Sequence, residues 1–393
     1  MRPFFTPAIT GMGCVSPLGC EAVATREALR EGRAGVREVT LFSTAKFRSH
    51  LAGHVPDDFE ERAAEISAQS RAWPRAAKLV LVAMAEAMRA RPGFVPDVVV
   101  AGTTSGGMDF GEQFYRGVLA GMGDRAARHL ARLYVPHQPA RDALEVFGIA
   151  APLRVISNAC ASGTNALGVA ARLVACGQAR CTMAIGFDAL TELVFAGFDA
   201  LQASTPEICR PFDANRTGLV LGEGAAVFLI ERIEETPSAL ATVAGYGCAN
   251  DNFHLTKPDP SGVGPRSSMA SALAQANWDV ASLDYLNAHG TGTPFNDESE
   301  AEAIKAVCPC VPLSSTKAMT GHALGAAGAM EAAFCIHAMH GDFHPPNLNL
   351  ETPMPGLNIV ANKSQPDRVN RVLSNSFGFG GSNASILLEK WPQ

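Results

Sequence analysis

Short apolar runs of strand length alternate along this chain with longer stretches of helical spacing. "DVVVAG" at 97–102, "LRVIS" at 153–157, "CTMAIG" at 181–186, "AVFLI" at 226–230 and "ASILL" at 384–388 are mostly continuous apolar runs. Such runs suit strands covered on both faces. Between them, 161–176, 266–277 and 322–340 keep a helical pattern. The stretches after Cys160 and after Gly321 are rich in alanine and glycine and almost free of charge, which predicts helices buried on all sides. This alternation predicts an α/β fold with helices packed on sheets.

The pattern also repeats. "AITGMGC" at 8–14 is echoed by "TVAGYGC" at 242–248, and "DVVVAGTTSGG" at 97–107 by "DYLNAHGTGTP" at 284–294. "APLRVISNACASGTNALGVA" at 151–170 is echoed by "CVPLSSTKAMTGHALGAAGA" at 310–329, and "GEGAAVFLIE" at 222–231 by "GGSNASILLE" at 380–389. Echoes in the same order predict a duplicated α/β unit. We expect halves at 1–240 and 241–393, with the boundary near "ERIEETPSALATV" at 231–243. Two such halves, packed through their buried helices, would form five layers, α/β/α/β/α, with strand-end turns from both halves meeting at one site.

Composition narrows the class. A chain of 393 residues that is 47% hydrophobic and 18% charged can bury a large core. "MRPFFTPAITGMGC" does not have the form of a leader, and "LVLVAMAEAM" is broken by Glu86 and too short for a bilayer, so a cytoplasmic protein with no membrane partner is expected. The 10 cysteines then read as reduced thiols. Cys308 and Cys310 lack a second pair at zinc spacing, so no metal is expected. A net charge of −6 without a basic, aromatic-interleaved stripe argues against nucleic acid.

The duplication sets Cys160 and Lys317 at equivalent positions, each after a strand and before a buried helix. It sets His289 on a strand-end turn and His322 five residues beyond Lys317. A thiol, two imidazoles and an ammonium are thereby predicted to converge. A helix dipole contributes at most ~2 kcal/mol, or roughly 1.5 pH units off a free-cysteine value of ~8.5. Cys160 therefore needs neighbouring imidazoles or a cation to act as a nucleophile. Cys14, Cys20, Cys176, Cys181, Cys209, Cys248 and Cys335 read as packing residues. Lys317 and His322 lie in a segment with almost no other charge, where burying an ammonium without purpose is costly.

Five stretches carry a family resemblance: "NACASG" at Cys160, "RPFDANRTGLVLGEGAAVFLIE" at 210–231, "AHGTGTPFNDESE" at 288–300, "STKAMTGHALGAAG" at 315–328 and "NSFGFGGSN" at 375–383. Together they resemble the decarboxylating Cys-His-His β-ketoacyl-acyl carrier protein synthases of the thiolase fold, over essentially the whole chain. The resemblance implies that Cys160 is the acylated nucleophile and that His289 and His322 polarise the extender thioester. It makes Lys317 the buried lysine beside them and Glu300 a support for that site. It implies an oxyanion hole from the backbone of Cys160 and Phe379, with Gly380 and its glycine neighbours letting the Phe379 gate swing. Thr291 and Thr293 would hold the phosphopantetheine arm, which arrives on the acyl carrier protein, so that no cofactor belongs to the enzyme itself. Ser105 and Met108 would line the far end of an acyl pocket at a dimer interface.

An acidic carrier protein requires a local basic patch. Arg71, Arg75 and Lys78, spaced i, i+4 and i+7, and Arg125, Arg128 and Arg132, spaced i, i+3 and i+7, would each share a helical face. Solvated helix faces have the same spacing. The chain departs from the family at Thr217, where an acid is usual and where a loop salt bridge is expected to change, and in a short stretch between Phe198 and Arg210. The rivals are a thiolase or Cys-His-Asn condensing enzyme, a non-catalytic chain-length-factor subunit and a cysteine hydrolase. "TKAMTGH" speaks against the first and Cys160 against the second, and the two histidines with a lysine exceed what the third needs. An identical partner, or a homologous chain-length factor, fits the sequence equally, as do fatty-acid, polyketide and aryl-polyene elongation.

Overall fold

Ten strands hydrogen-bond in one continuous order in the computed structural model, which describes residues 5–236 and 238–392. Residues 1–4, which open the segment read for a leader, lie outside that range. Pro7–Val15 (β1), Val98–Gly102 (β2), Leu153–Ile156 (β3), Cys181–Asp188 (β4) and Gly224–Arg232 (β5) precede the expected boundary. Ala241–Asn250 (β6), Tyr285–Asn287 (β7), Leu313–Ser314 (β8), Arg371–Gly378 (β9) and Ser382–Lys390 (β10) follow it. The order is β8-β7-β9-β10-β6-β1-β5-β4-β2-β3.

Read outward from the β1/β6 seam, both arms have the same pairing. β1–β5 and β5–β4 are antiparallel and β4–β2 and β2–β3 parallel. β6–β10 and β10–β9 are antiparallel and β9–β7 and β7–β8 parallel. Each echo in the sequence falls on a pair of equivalent strands: β1 with β6, β2 with β7, β3 with β8 and β5 with β10. The seam itself holds only the pairs Ala8↔Thr242 and Ile9↔Ala241.

That thin seam lets the sheet fold back on itself around two central helices, Ser162–Ala175 and Ala327–Gly341. Arg75–Ala90 packs outside one arm, against β1 and β5, and Val263–Ala276 outside the other, against β6 and β10. The expected α/β/α/β/α layering results. Every residue from Ala327 to Met339 is buried, which is why the helix carries so little charge. Close approach of the central layer needs glycine: a β-carbon on Gly163 would lie 2.7 Å from the Gly325 carbonyl oxygen.

The predicted helix over 322–340 begins later than its spacing suggests. Lys317–Thr320 makes one turn, Gly321 takes φ +67°, and the long helix starts at Ala327. The His322 N–H donates to the Val220 carbonyl at 2.7 Å and the Gly222 N–H to the His322 carbonyl at 3.0 Å. This strand-like clasp outcompetes the helix and leaves His322 on a loop. No helix among the described residues is long and apolar enough to cross a membrane.

Candidate active site

β3 ends at Ile156, and the chain turns sharply through Ala159, held at φ +54°, before the Ser162–Ala175 helix begins. A non-glycine residue in that region is strained. Ser162 stabilises the turn, its Oγ donating to the Ala159 carbonyl at 2.6 Å while accepting from the Asn158 N–H at 2.9 Å. The turn sets Cys160 at the end of the central helix, 7% exposed. Burial pushes its thiol up to about 12, against the pull of the Lys317 ammonium. The resting group is thus a thiol, and the helix end does not make it a thiolate.

His322 reaches the thiol from the second half, its Nε2 lying 2.9 Å from Cys160 Sγ. His289, on the turn after β7, meets His322 edge to face with ring centroids 5.2 Å apart. One donor atom from each of Cys160, His289 and His322 lies within 4.8 Å of the other two. Burial, reinforced by the Lys317 charge, holds both imidazoles well below their usual pKa, so both are neutral near pH 7.

Lys317 stands behind His289, with Nζ 3.3 Å from His289 Nδ1. It also donates to Glu331, forming a fully buried ion pair. Donation from the ammonium to Nδ1 places the His289 proton on Nε2, away from Lys317. Glu300 acts on the backbone of the same turn, accepting from the N–H groups of His289 at 2.8 Å and Gly290 at 2.7 Å. Burial pushes the carboxyls of Glu300 and Glu331 up to about 7.

A cavity of about 250 Å³ opens over these groups, lined by Cys160, His289, His322, Thr291, Thr293 and Phe379 among others. The Thr291 and Thr293 hydroxyls are 2.8 Å apart. Phe379 is 37% exposed and stacks on Phe198 at 5.7 Å. Gly380, also in the lining, takes φ +75° beside it, with open space where a β-carbon would lie.

Residues 7–236 match the family described as "Beta-ketoacyl synthase, N-terminal domain", and residues 240–351 match its "C-terminal domain". The chain belongs to the β-ketoacyl synthase family. It is 34% identical to "3-oxoacyl-[acyl-carrier-protein] synthase 2" of Coxiella burnetii, over 97% of this chain and 98% of that protein. It is also 34% identical to "Putative polyketide beta-ketoacyl synthase 1" of Streptomyces halstedii, over 97% of each. Among solved structures it resembles "The ishigamide ketosynthase/chain length factor", with TM-score 0.91 and 28% identity, over 99% of this chain and 100% of that one.

Several residues expected at the ketosynthase site lie outside this cavity. Ser105 is bound to Asp188, which accepts from its N–H at 2.8 Å and its Oγ at 2.7 Å. Met108 opens a separate helix, Met108–Leu119, and neither residue lines the cavity. Arg71, Arg75 and Lys78 do not share a helical face, because a 3-10 turn ends at Ala72 and a new helix starts at Arg75 after Pro74. Arg75 instead bonds the buried Glu223, with Nε at 2.7 Å, and Lys78 bonds Glu60 at 3.0 Å. Arg125, Arg128 and Arg132 do share the exposed face of the Asp124–Leu133 helix, which buries no residue. Thr217, expected to affect only a loop, lines the cavity and bonds Thr205 at 2.6 Å between hydroxyl oxygens.

Two site residues escaped the sequence reading. Glu331 is the lone acid in "AGAMEAAFCIHAM", and a single carboxyl in a charge-free buried helix is itself a signal that a buried cation is near. Asp188 accepts from the Thr103 hydroxyl at 2.6 Å and from the N–H groups of Thr104 at 2.9 Å and Gly325 at 2.7 Å, besides Ser105. It ties the turn after β2 to the loop that carries His322.

Proposed function

We propose that this β-ketoacyl synthase family member joins an acyl chain on Cys160 to malonyl-acyl carrier protein by decarboxylative Claisen condensation. The observation that carries the reading is the neutral His322 Nε2, 2.9 Å from the Cys160 sulfur, with the lysine-backed His289 beside it. In the first half-reaction the sulfur bonds the acyl carbon and the carrier's C–S bond breaks. The thiol proton passes by way of His322 to the departing pantetheine sulfur. A nucleophile with so high a pKa needs such a relay.

In the second half-reaction the bond between C2 and the free carboxylate of the malonyl group breaks, CO2 leaves, and the electron pair becomes an enolate. His289 donates its Nε2–H to the enolate oxygen, and His322 does so once its neutral ring has moved its proton to Nε2, where prepositioned donors matter most as charge develops. C2 then attacks the Cys160 thioester. The backbone N–H groups of Cys160 and Phe379, which also favour charge on the sulfur, hold the new oxyanion. The C–S bond breaks, the β-ketoacyl chain leaves on the carrier, and the sulfur takes a proton from the medium.

Thr291 and Thr293 hold the pantetheine arm, which the carrier supplies, so the enzyme needs no cofactor of its own. The first half, 1–240, carries the nucleophile and the second, 241–393, the donors. Arg125, Arg128 and Arg132 remain candidates for carrier docking on charge grounds. The name of the Coxiella relative supports a carrier-borne substrate, and a cytoplasmic dimer fits that chemistry. A second reading, the catalytic subunit of a ketosynthase/chain-length-factor pair in polyketide or polyene synthesis, is favoured by the likeness to the ishigamide assembly. Incubation with acyl- and malonyl-carrier protein should give acyl-Cys160 and then a β-ketoacyl carrier; absence of either product sinks the proposal. Native mass spectrometry of the purified complex separates an identical partner from a homologous one.

A further inference from the structure

The mouth of the cavity carries a cation that none of these steps uses. Lys257 and Phe295 both line the cavity, and the Lys257 ammonium lies 4.5 Å from the centroid of the Phe295 ring. Among the described residues no carboxylate stands within ion-pair distance of it. The two mark the open end: Phe295 is 54% exposed, whereas His289 at the floor is 1% exposed. Thr291 and Thr293 line the wall of the same cavity.

Phe295 and Asn296 belong to the first turn of the Pro294–Val307 helix, and both face the cavity. First-turn N–H groups lack partners within the helix, and the helix dipole is positive there. Asp251, in the cavity lining, and Asp297, next to Asn296 in the helix, are already engaged. Asp297 is fully buried, accepts from the Phe212 N–H at 2.9 Å and the Gly292 N–H at 3.2 Å, and lies 3.7 Å from the Arg216 guanidinium. Asp251 accepts from the N–H groups of Phe253 and Asp259, both at 3.3 Å. An ammonium held on an aromatic face beside a helix N-terminus, at the outer end of a tunnel to a nucleophile, is arranged for a singly charged anion.

We propose that Lys257, seated on Phe295 and assisted by the first turn of the Pro294–Val307 helix, binds the phosphodiester that joins the pantetheine arm to its carrier protein. This rests on the carrier-dependent reaction above and names the residue that anchors the outer end of the arm. The ammonium donates to the non-bridging phosphate oxygens, and the ring keeps it at the rim, where it would otherwise swing into water. Leu201, an exposed apolar side chain that lines the same cavity, adds an uncharged contact for the carrier near that charge.

Equilibrium binding of free phosphopantetheine and of pantetheine, which lacks the phosphate, tests this without any turnover. The parent protein should bind phosphopantetheine about tenfold more tightly, the size of one charge-assisted hydrogen bond. Lys257→Ala should erase that ratio, Lys257→Glu should reverse it, and Phe295→Leu should reduce it. Added salt should shrink the ratio in the parent. Equal affinity of the parent for both compounds, or an undiminished ratio in Lys257→Ala, would overturn the assignment. A failure of the condensation itself would appear separately, as missing product with carrier-borne substrates.

Discussion

His322 Nε2 stands 2.9 Å from Cys160 Sγ across 162 residues of chain. The imidazole is neutral and the thiol is held protonated, so the pair is set to transfer a proton and does not rest as an ion pair. Replacing Cys160 with Ser should therefore abolish acyl transfer from the carrier, because a hydroxyl is harder still to ionise. The fold should tolerate the change, since the smaller hydroxyl fits the same space beside His322. Intact-protein mass spectrometry reads the missing acyl adduct and thermal melting reads the fold; normal condensation by a stable variant would remove Cys160 from the mechanism.

The two histidines should separate by half-reaction. His289→Ala and His322→Ala should each slow malonyl decarboxylation by roughly 10²- to 10³-fold, the usual cost of losing an oxyanion donor. Only His322 touches the sulfur, so His322→Ala should also slow acylation of Cys160, while His289→Ala leaves that step much closer to normal. Single-turnover acylation and CO2 release check both arms. Equal acylation rates in the two variants would show that His322 does not relay the thiol proton.

Stability should respond to pH in two opposed ways. His289 and His322 stay neutral in the folded chain well below the usual value of 6.5. Below pH 6.5 the unfolded chain therefore binds protons that the folded chain refuses, and stability falls as pH falls. Glu300 and Glu331 have folded values of about 7, so their burial costs least below an unfolded value of ~4.3 and that advantage is lost as pH rises towards 7. Glu300→Gln should flatten the loss between about pH 4.5 and 7. Urea denaturation across that range decides; a curve parallel to the parent's would mean that the Glu300 carboxyl is already ionised at its lower end.

Ser105 gives a prediction different from the one its position in the sequence suggests. The resemblance sets Ser105 at the far end of an acyl pocket, and the structure shows its hydroxyl and N–H both bound to the buried Asp188. Ser105→Phe should instead lower stability by about 2 to 4 kcal/mol, from overpacking and a lost bond to a carboxylate. A melting temperature equal to the parent's would show that the turn accommodates the ring.

These cases mark what could be read from the chain alone. Cys160, His289, Lys317 and His322 were legible because duplication writes spatial equivalence as sequence echo, and the same echoes exposed all but one of the equivalent strand pairs. β4 and β9 showed no echo, because "CTMAIGFD" and "RVLSNSFG" share little beyond a buried setting. Asp188 and the Arg75–Glu223 pair were hidden for another reason. Their partners lie 83 and 148 residues away, so local spacing holds no trace of them. Helical spacing made Arg75 and Lys78 look like free surface charge, whereas Glu223 and Glu60 had already claimed them.

β3 and β8 hold the same outermost place in their two arms, so Cys160 and Lys317 follow equivalent strands. The turns have diverged, with Ala159 at φ +54° before the thiol and Thr316 at φ −80° before the ammonium, so each copy brings a different group to the meeting point. Neither copy owns a complete kit. A protein cut at the β1/β6 seam, where only two residue pairs join the arms, would consist of a loaded hook and an idle bench until the pieces found each other again.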